Sequence, residues 1–124
     1  MSHKRILIID DEDDIREVAA LALETSGDFE VTTAEGGRAG LAAAHRFRPD
    51  LILLDVMMPE LDGPSTYLQL QKSEVTSPIP VIFLTAKVQP ADRRRLSDLG
   101  AIGIIAKPFD PMRLADDIAA IVGW

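Results

Sequence analysis

The sequence contains no cysteine, which excludes both a disulfide framework and a thiolate zinc site. It also lacks any apolar run that approaches the length needed to cross a bilayer. Residues 1–5 lead into only four apolar residues before Asp10, too few for the hydrophobic region of a signal peptide. We therefore expect a cytoplasmic protein that does not contact a membrane.

Basic residues are scarce, because 13 Lys and Arg stand against 20 Asp and Glu and give a net charge of −7. Such a surface repels phosphate backbones, so direct binding of nucleic acid is not expected. The short basic run Arg93-Arg94-Arg95 is interpreted as a solvated helix face. The 124 residues, 47% of them apolar, suffice for one well-filled core, and we predict a single domain over residues 1–124.

Short apolar runs alternate with amphipathic stretches along the chain. The runs predict five strands, at residues 6–9, 29–33, 51–54, 81–84 and 102–106. A first helix, with Gly27 as its stop, is indicated by an apolar face made of Ile15, Val18, Ala19 and Ala22. A second helix has Leu41 and Ala44 on one face, and the remaining three are expected to start near Pro64, Pro90 and Asp110-Pro111. Strand followed by helix, five times over, predicts a doubly wound α/β fold with a parallel sheet between two layers of helices.

Four of the five predicted strands end in polar residues able to do chemistry. The first ends in Asp10-Asp11, the third in Asp55, the fourth in Thr85 and the fifth in Lys107, whereas the second ends at residues 32–34 without such a group. In open parallel sheets, ligands bind outside the carboxyl ends of the strands, where strand order reverses. The second strand therefore belongs at the sheet edge, which predicts the strand order 2-1-3-4-5.

These strand ends predict a magnesium-dependent phosphoryl site. Carboxylates crowded at one crevice repel each other unless a cation compensates, and Mg²⁺ prefers oxygen ligands from one or two carboxylates, phosphate and water. Lys107 and Thr85 could bind phosphoryl oxygens, one as a point charge and the other through a directional hydrogen bond. Asp55, central among them, is the candidate nucleophile that would form an aspartyl phosphate.

The chain resembles the receiver domains of two-component response regulators, in particular the single-domain chemotaxis type. The matching pieces are Asp10-Asp11 after an apolar strand, residues 55–63 with their sequence DVMMPELDG, Thr85-Ala86, and Lys107-Pro108-Phe109. The resemblance implies a flavodoxin-like three-layer sandwich with five helices, and a phosphoryl group taken by Asp55 from a histidine kinase or histidine phosphotransfer protein.

The resemblance also implies roles for individual residues. Mg²⁺ would be ligated by Asp11, Asp55 and the backbone carbonyl of Met57, with Asp10 helping directly or through water. Thr85 and Lys107 would contact the phosphoryl oxygens, and the Lys107-Pro108 bond would be cis. A downstream protein target would bind the face made by the fourth helix, the fifth strand and the fifth helix.

Two departures from the family pattern bear on switching and lifetime. Ile104 stands three residues before the lysine, where relatives often carry an aromatic ring that moves on phosphorylation. Met57 and Lys87 occupy positions resembling the family's tuners of phosphoryl lifetime. The chain ends at Trp124, directly after the fifth predicted helix, so output through a separate partner is expected unless the chain was cut from a longer protein.

Other interpretations of the same residues stay open. Asp13 and Asp14 are interpreted as capping the first helix, and Asp62-Gly63 as turn chemistry. A turnover enzyme is not expected, but an aspartate-nucleophile phosphatase is one alternative; haloacid dehalogenase-like enzymes usually place a second aspartate where this chain has Met57. A degenerate receiver that only binds partners is the other.

Overall fold

The strands and helices alternate from one end of the chain to the other. The computed structural model describes residues 3–124, so Met1 and Ser2, the first residues of the predicted domain, lie outside the described residues. The strands are β1 Lys4–Ile9, β2 Phe29–Ala34, β3 Leu51–Asp55, β4 Val81–Thr85 and β5 Gly103–Ala106. The helices are α1 Asp13–Thr25, α2 Gly37–Phe47, α3 Gly63–Gln71, α4 Pro90–Leu99 and α5 Leu114–Val122. Every predicted strand and helix is therefore present.

The five strands form one parallel sheet in the order β2-β1-β3-β4-β5, which confirms the predicted fold class and strand order. The register aligns the strand ends, since Asp55 stands beside Leu84 and Thr85 beside Ala106. The residues that end β3, β4 and β5 consequently emerge at the same edge of the sheet.

Alternate side chains of the strands fill two cores, one on each face of the sheet. One core lies under α2, α3 and α4 and includes Leu54, Tyr67 and Phe83, while the other lies under α1 and α5 and includes Leu53 and Ile118. The residues of β3 and β4 are all buried, which explains why these strands have uninterrupted apolar runs rather than alternation. Each fully buried aliphatic side chain contributes about 1.5–3 kcal/mol, so this sheet is a rigid platform for its carboxyl edge.

The apolar face predicted for α1 is correct only in part. Ala19 and Leu23 are the buried residues of this helix, whereas Val18 is 42% exposed. Adjacent helix residues are about 100° apart, so a face centred on Ala19 and Leu23 turns Val18 towards solvent. Ile15 and Ala22 lie half-buried at the edges of that face.

Two predictions about helix starts are wrong. Helix α5 begins at Leu114 rather than near Pro111, because Asp110 forms a preceding turn: its carboxylate accepts a hydrogen bond from Met112 N (2.9 Å) and its carbonyl one from Arg113 N (3.0 Å). Asp13 and Asp14 lie inside the first turn of α1, and the N-cap residue is Glu12, whose side chain makes no capping bond. The two aspartates still favour the positive end of the helix dipole.

Candidate functional site

Four polar residues predicted from the strand ends come together at the carboxyl edge of the sheet. Asp10 follows β1, Asp55 and Thr85 are the last residues of β3 and β4, and Lys107 follows β5. Asp10, Asp55 and Thr85 are all buried, although each is polar or charged. Buried groups of this kind need hydrogen-bonding or charged partners. Lys107 is the partner of both carboxylates, and the backbone N–H of Lys87 is the partner of the Thr85 hydroxyl.

The ammonium of Lys107 joins three carboxylates. Its Nζ atom lies 2.8 Å from Asp10 Oδ2, 3.2 Å from Asp55 Oδ1 and 3.2 Å from Glu12 Oε1. Burial alone would lower the pKa of Lys107, but the hydrogen bond and charge of Asp10, followed by those of Asp55, raise it above its ordinary value. Lys107 is thus a fixed cation in the centre of the site.

Four carboxylates, those of Asp10, Asp11, Glu12 and Asp55, have oxygen atoms within 4.8 Å of one another. Burial, and then the charge of Asp10, raises the pKa of Asp55 to about 7, although Lys107 pulls it in the opposite direction. One lysine therefore does not neutralise the crowded carboxylates. An all-oxygen set with excess negative charge is the chemistry that suits a hard divalent cation such as Mg²⁺.

A cleft of about 360 Å³ opens beside this cluster. Asp55, Thr85 and Lys107 line it together with Glu12 and Met57. The Thr85 hydroxyl oxygen accepts a hydrogen bond from the backbone N–H of Lys87 at 2.9 Å. Because a hydroxyl can donate while it accepts, its own proton stays available to a ligand in the cleft.

The backbone around the cleft is held by hydrogen bonds between neighbouring strand ends. Lys107 N donates to Thr85 O at 2.9 Å, and the Lys107-Pro108 peptide bond is cis, as the resemblance implied. Val56 N donates to Leu84 O at 3.1 Å, which extends the β3–β4 ladder past Asp55. Thr85, Asp55 and Lys107 are therefore tied to one frame rather than carried on separate loops.

Gly63 supports the position of Asp55, and sequence reasoning missed this role. Its N–H donates to Val56 O at 2.8 Å, and a Cβ atom there would lie 2.3 Å from Asp55 O and 2.8 Å from Val56 Cα. Both obstacles are backbone atoms, so no side-chain rotation could relieve the clash. Asp62, by contrast, does what was predicted of turn chemistry, since it caps α3 by accepting a hydrogen bond from Ser65 N.

Glu12 is the second residue that sequence reasoning missed. It follows Asp10-Asp11 in the sequence, and that adjacency was the available signal, but its contact with Lys107 spans 95 residues. The other predicted positions have simpler surroundings. Met57 lines the cleft and is 65% exposed, and the role of its carbonyl as a metal ligand stays a prediction. Ile104 is half-buried against the core under α2, α3 and α4.

The opposite, amino edge of the sheet carries the single tryptophan. The Trp124 ring packs against Phe29 with 5.9 Å between ring centroids, and Lys4 Nζ lies 5.4 Å from the Trp124 centroid. Phe29 and Lys4 are the first residues of β2 and β1, so this aromatic contact lies at the far end of the sheet from Asp55.

Comparison with known proteins identifies the class to which this fold and site belong. The sequence profile of the response regulator receiver domain matches residues 6–119. The chain is 40% identical over 122 residues to the phosphate regulon transcriptional regulatory protein PhoB of Pseudomonas aeruginosa, covering 98% of this chain and 53% of that protein. It is 38% identical over 120 residues to the alkaline phosphatase synthesis transcriptional regulatory protein PhoP of Bacillus subtilis, covering 97% and 49%.

Solved structures agree with this assignment. The chemotaxis protein CheY4 of Vibrio cholerae superposes with a TM-score of 0.90 at 30% identity, over 97% of this chain and 99% of that one. The receiver domain of a sensor histidine kinase from Pseudomonas aeruginosa, crystallised with a magnesium ion coordinated in its active-site cleft, gives a TM-score of 0.85 at 29% identity, over 99% and 100%.

The chain belongs to the receiver-domain family of two-component response regulators, and a phosphoacceptor role in two-component signalling fits that membership. It spans about half the length of the curated relatives it matches. Receiver domains usually bind Mg²⁺ at an acidic cluster and interact with histidine kinases and downstream effectors. Among residues 3–124, no helix has the length and apolar character of a membrane span.

Proposed function

We propose that Asp55 is the phosphoacceptor of this receiver domain, and that it takes the phosphoryl group from a phosphohistidine on a histidine kinase or histidine phosphotransfer protein. An Asp55 carboxylate oxygen would form a bond to phosphorus while the phosphorus–nitrogen bond of the donor breaks. The electron pair of that bond would leave with the donor imidazole, which is protonated as it departs. The observation that carries this proposal is the buried Asp55 carboxylate, which shares one cleft with the Lys107 ammonium and the Thr85 hydroxyl.

Asp10, Asp11 and Asp55 would hold Mg²⁺, with the backbone carbonyl of Met57 as a further ligand. Supporting this assignment, the three carboxylates have oxygen atoms within 4.8 Å of one another, on a site where Lys107 alone leaves negative charge uncompensated. The ion would neutralise charge on the phosphoryl oxygens as it binds beside them.

Lys107 and Thr85 would bind the transferred group through two different interactions. Lys107 would offer a charge-assisted contact to one phosphoryl oxygen, and Thr85 a directional hydrogen bond to another. A hydrogen bond to a charged group is worth about 1.5–3 kcal/mol, enough to shift a loop between two positions. The loop after Thr85 and helix α4 would then change the face made by α4, β5 and α5, where a downstream protein would bind.

A cytoplasmic location suits a domain that exchanges phosphoryl groups with kinases, and the acidic surface disfavours direct contact between this domain and nucleic acid. The strands within residues 3–124 form a single sheet, which supports one domain across these residues. Because Asp55, Thr85 and Lys107 all line one cleft, we favour a phosphorylated receiver over a degenerate one that only binds partners.

The proposal is tested by labelling with acetyl phosphate or phosphoramidate in the presence of Mg²⁺. Intact-mass and peptide mass spectrometry should detect one added phosphoryl group on Asp55 that hydroxylamine removes, as expected of an acyl phosphate. Asp55→Asn should abolish the label, whereas Asp98→Asn, which neutralises an exposed carboxylate of α4, should retain it. Unchanged labelling of Asp55→Asn would refute the assignment.

A further inference from the structure

The Lys107 ammonium has all its hydrogen-bonding capacity committed within the site. An ammonium carries three N–H donors, and three carboxylate oxygens lie within 3.2 Å of Nζ, one each from Asp10, Glu12 and Asp55. A phosphoryl oxygen cannot therefore be contacted by Lys107 until one of these three carboxylates gives way.

The three partners differ in how easily they can leave. The Asp10 carboxylate is completely buried, makes the shortest contact at 2.8 Å, and is fixed through its other oxygen by Glu12 N at 2.9 Å. Releasing it would break the ion pair of a completely buried carboxylate, which is costly. Asp55 is the group on which the phosphoryl bond would form, so it stays in place.

Glu12 is different in each respect. Its side chain is 61% exposed, and its 3.2 Å contact with Lys107 is longer than the contact of Asp10. It also lines the cleft that Asp55 lines. A carboxylate that moves from such a contact into water loses little, because water replaces most of the interaction. Glu12 is therefore the partner of Lys107 that costs least to displace.

We propose that Glu12 is a positioning residue that holds Lys107 in the unphosphorylated site and is displaced by the incoming phosphoryl group. This inference rests on the function proposed above, since it assumes that Lys107 contacts a phosphoryl oxygen. Glu12 occupies Lys107 before transfer and competes with the phosphoryl group for it during transfer. Once the phosphoryl group is attached, Glu12 no longer contacts Lys107, so hydrolysis of the aspartyl phosphate does not require it to move.

The test measures phosphorylation by acetyl phosphate at saturating Mg²⁺ and, after the donor is removed, the rate of dephosphorylation. Glu12→Gln removes the charge of the competitor, and Glu12→Asp keeps the charge but shortens the reach by about 1.5 Å, one carbon–carbon bond. Asp14→Asn is the matched control, because it removes a negative charge from the exposed first turn of α1 without touching Lys107.

We expect Glu12→Gln and Glu12→Asp to be phosphorylated about two- to fivefold faster than the wild type, the range for a half-exposed ion pair. Asp14→Asn should keep the wild-type rate, and dephosphorylation should be unchanged in all three variants. Far-UV circular dichroism establishes that the variants are folded.

Several results would overturn the proposal. Wild-type phosphorylation rates in both Glu12 variants would show that no competition exists. A gain in Glu12→Gln alone, or an equal gain in Asp14→Asn, would mean that only the overall charge matters. Equal changes in phosphorylation and dephosphorylation would indicate a general disturbance of the site. Failure of the wild type itself to be labelled would overturn the proposed function and this inference with it, whereas labelling of the wild type with equal rates in the variants overturns the inference alone.

Discussion

Replacing Asp55 by Asn should stabilise the metal-free protein, and the gain should grow as the pH rises. Burial and the charge of Asp10 raise the pKa of Asp55 from its ordinary value of 3.8 to about 7. Between these two values the folded state keeps a proton that the unfolded state has released. Wyman linkage then requires the free energy of unfolding to fall as pH increases across that window.

The size of the effect follows from the same two values. Going from a pKa of 3.8 to one of about 7, at about 1.36 kcal/mol for each tenfold change in proton affinity, sets an upper limit of about 4 kcal/mol. Well below pH 3.8 the carboxyl is protonated in both states and costs nothing, and well above pH 7 the full cost is present and no longer changes. Asn has nearly the same shape and no charge, so Asp55→Asn escapes this cost.

The assay is urea unfolding followed by far-UV circular dichroism, in EDTA, at intervals from pH 4.5 to 8.5. The free energy of unfolding of Asp55→Asn should rise relative to the wild type from pH 4.5 to 7 and then level off, at a constant m-value. Asp98→Asn serves as the control and should follow the wild type. Mg²⁺ at about 100 times its Kd should stabilise the wild type by about 2.7 kcal/mol and narrow the difference. The raised pKa of Asp55 would be refuted as the cause if the difference in free energy of unfolding between Asp55→Asn and the wild type did not change with pH, or if it favoured the wild type more as the pH rises.

Three further predictions test other parts of the molecule. Gly63→Ala should destabilise the fold by about 1–3 kcal/mol in urea unfolding, because its Cβ meets backbone atoms. Gly36→Ala should cost less, because its Cβ meets open space and only the N-cap of α2 is weakened. Magnesium titration should leave Trp124 fluorescence nearly unchanged while NMR signals of the site shift, since the ring lies at the opposite edge of the sheet; quenching that saturates together with the NMR shifts would contradict this. Thr85→Ala should uncouple phosphorylation from amide shifts in the β4–α4 loop and in α4, and Ile104→Val should leave those shifts nearly intact. If Ile104→Val abolished these shifts and Thr85→Ala did not, the signal would not pass through the Thr85 hydroxyl.

The strands and the site residues at their ends were predictable because both rest on local patterns. Strands buried on both faces must be apolar throughout, and parallel strands bring their carboxyl ends to one edge. Asp10, Asp55, Thr85 and Lys107 therefore came together as their positions after apolar runs predicted. The predicted start of α5 was wrong because a turn competes with the helix at this position. Asp110-Pro111 has the composition of a helix start, but Asp110 accepts hydrogen bonds from Met112 N and Arg113 N in a turn that precedes the helix.

The contributions of Glu12 and Gly63 could not be predicted from local pattern because they depend on long-range geometry. A glutamate in an acidic run before a helix and a glycine after an aspartate both have sufficient local explanations. Their additional contacts, with Lys107 and with the backbone of Asp55, exist only once β5 has joined the sheet and α3 has packed against it. A residue whose local role already explains its position can therefore have a second, long-range role that the sequence does not reveal.

The packing of Ile104 limits how phosphorylation could change the conformation of this chain. Ile104 stands beside Phe83 in the sheet register and packs against the core that also contains Tyr67. It has no polar atom to exchange between solvent and core, and its β-branched side chain has a restricted χ1. Thr85, by contrast, has a hydroxyl that can gain a charge-assisted bond, and it already holds the loop through Lys87 N. A signal from Asp55 would therefore travel through the Thr85 hydroxyl into the β4–α4 loop, with Ile104 filling space beside it.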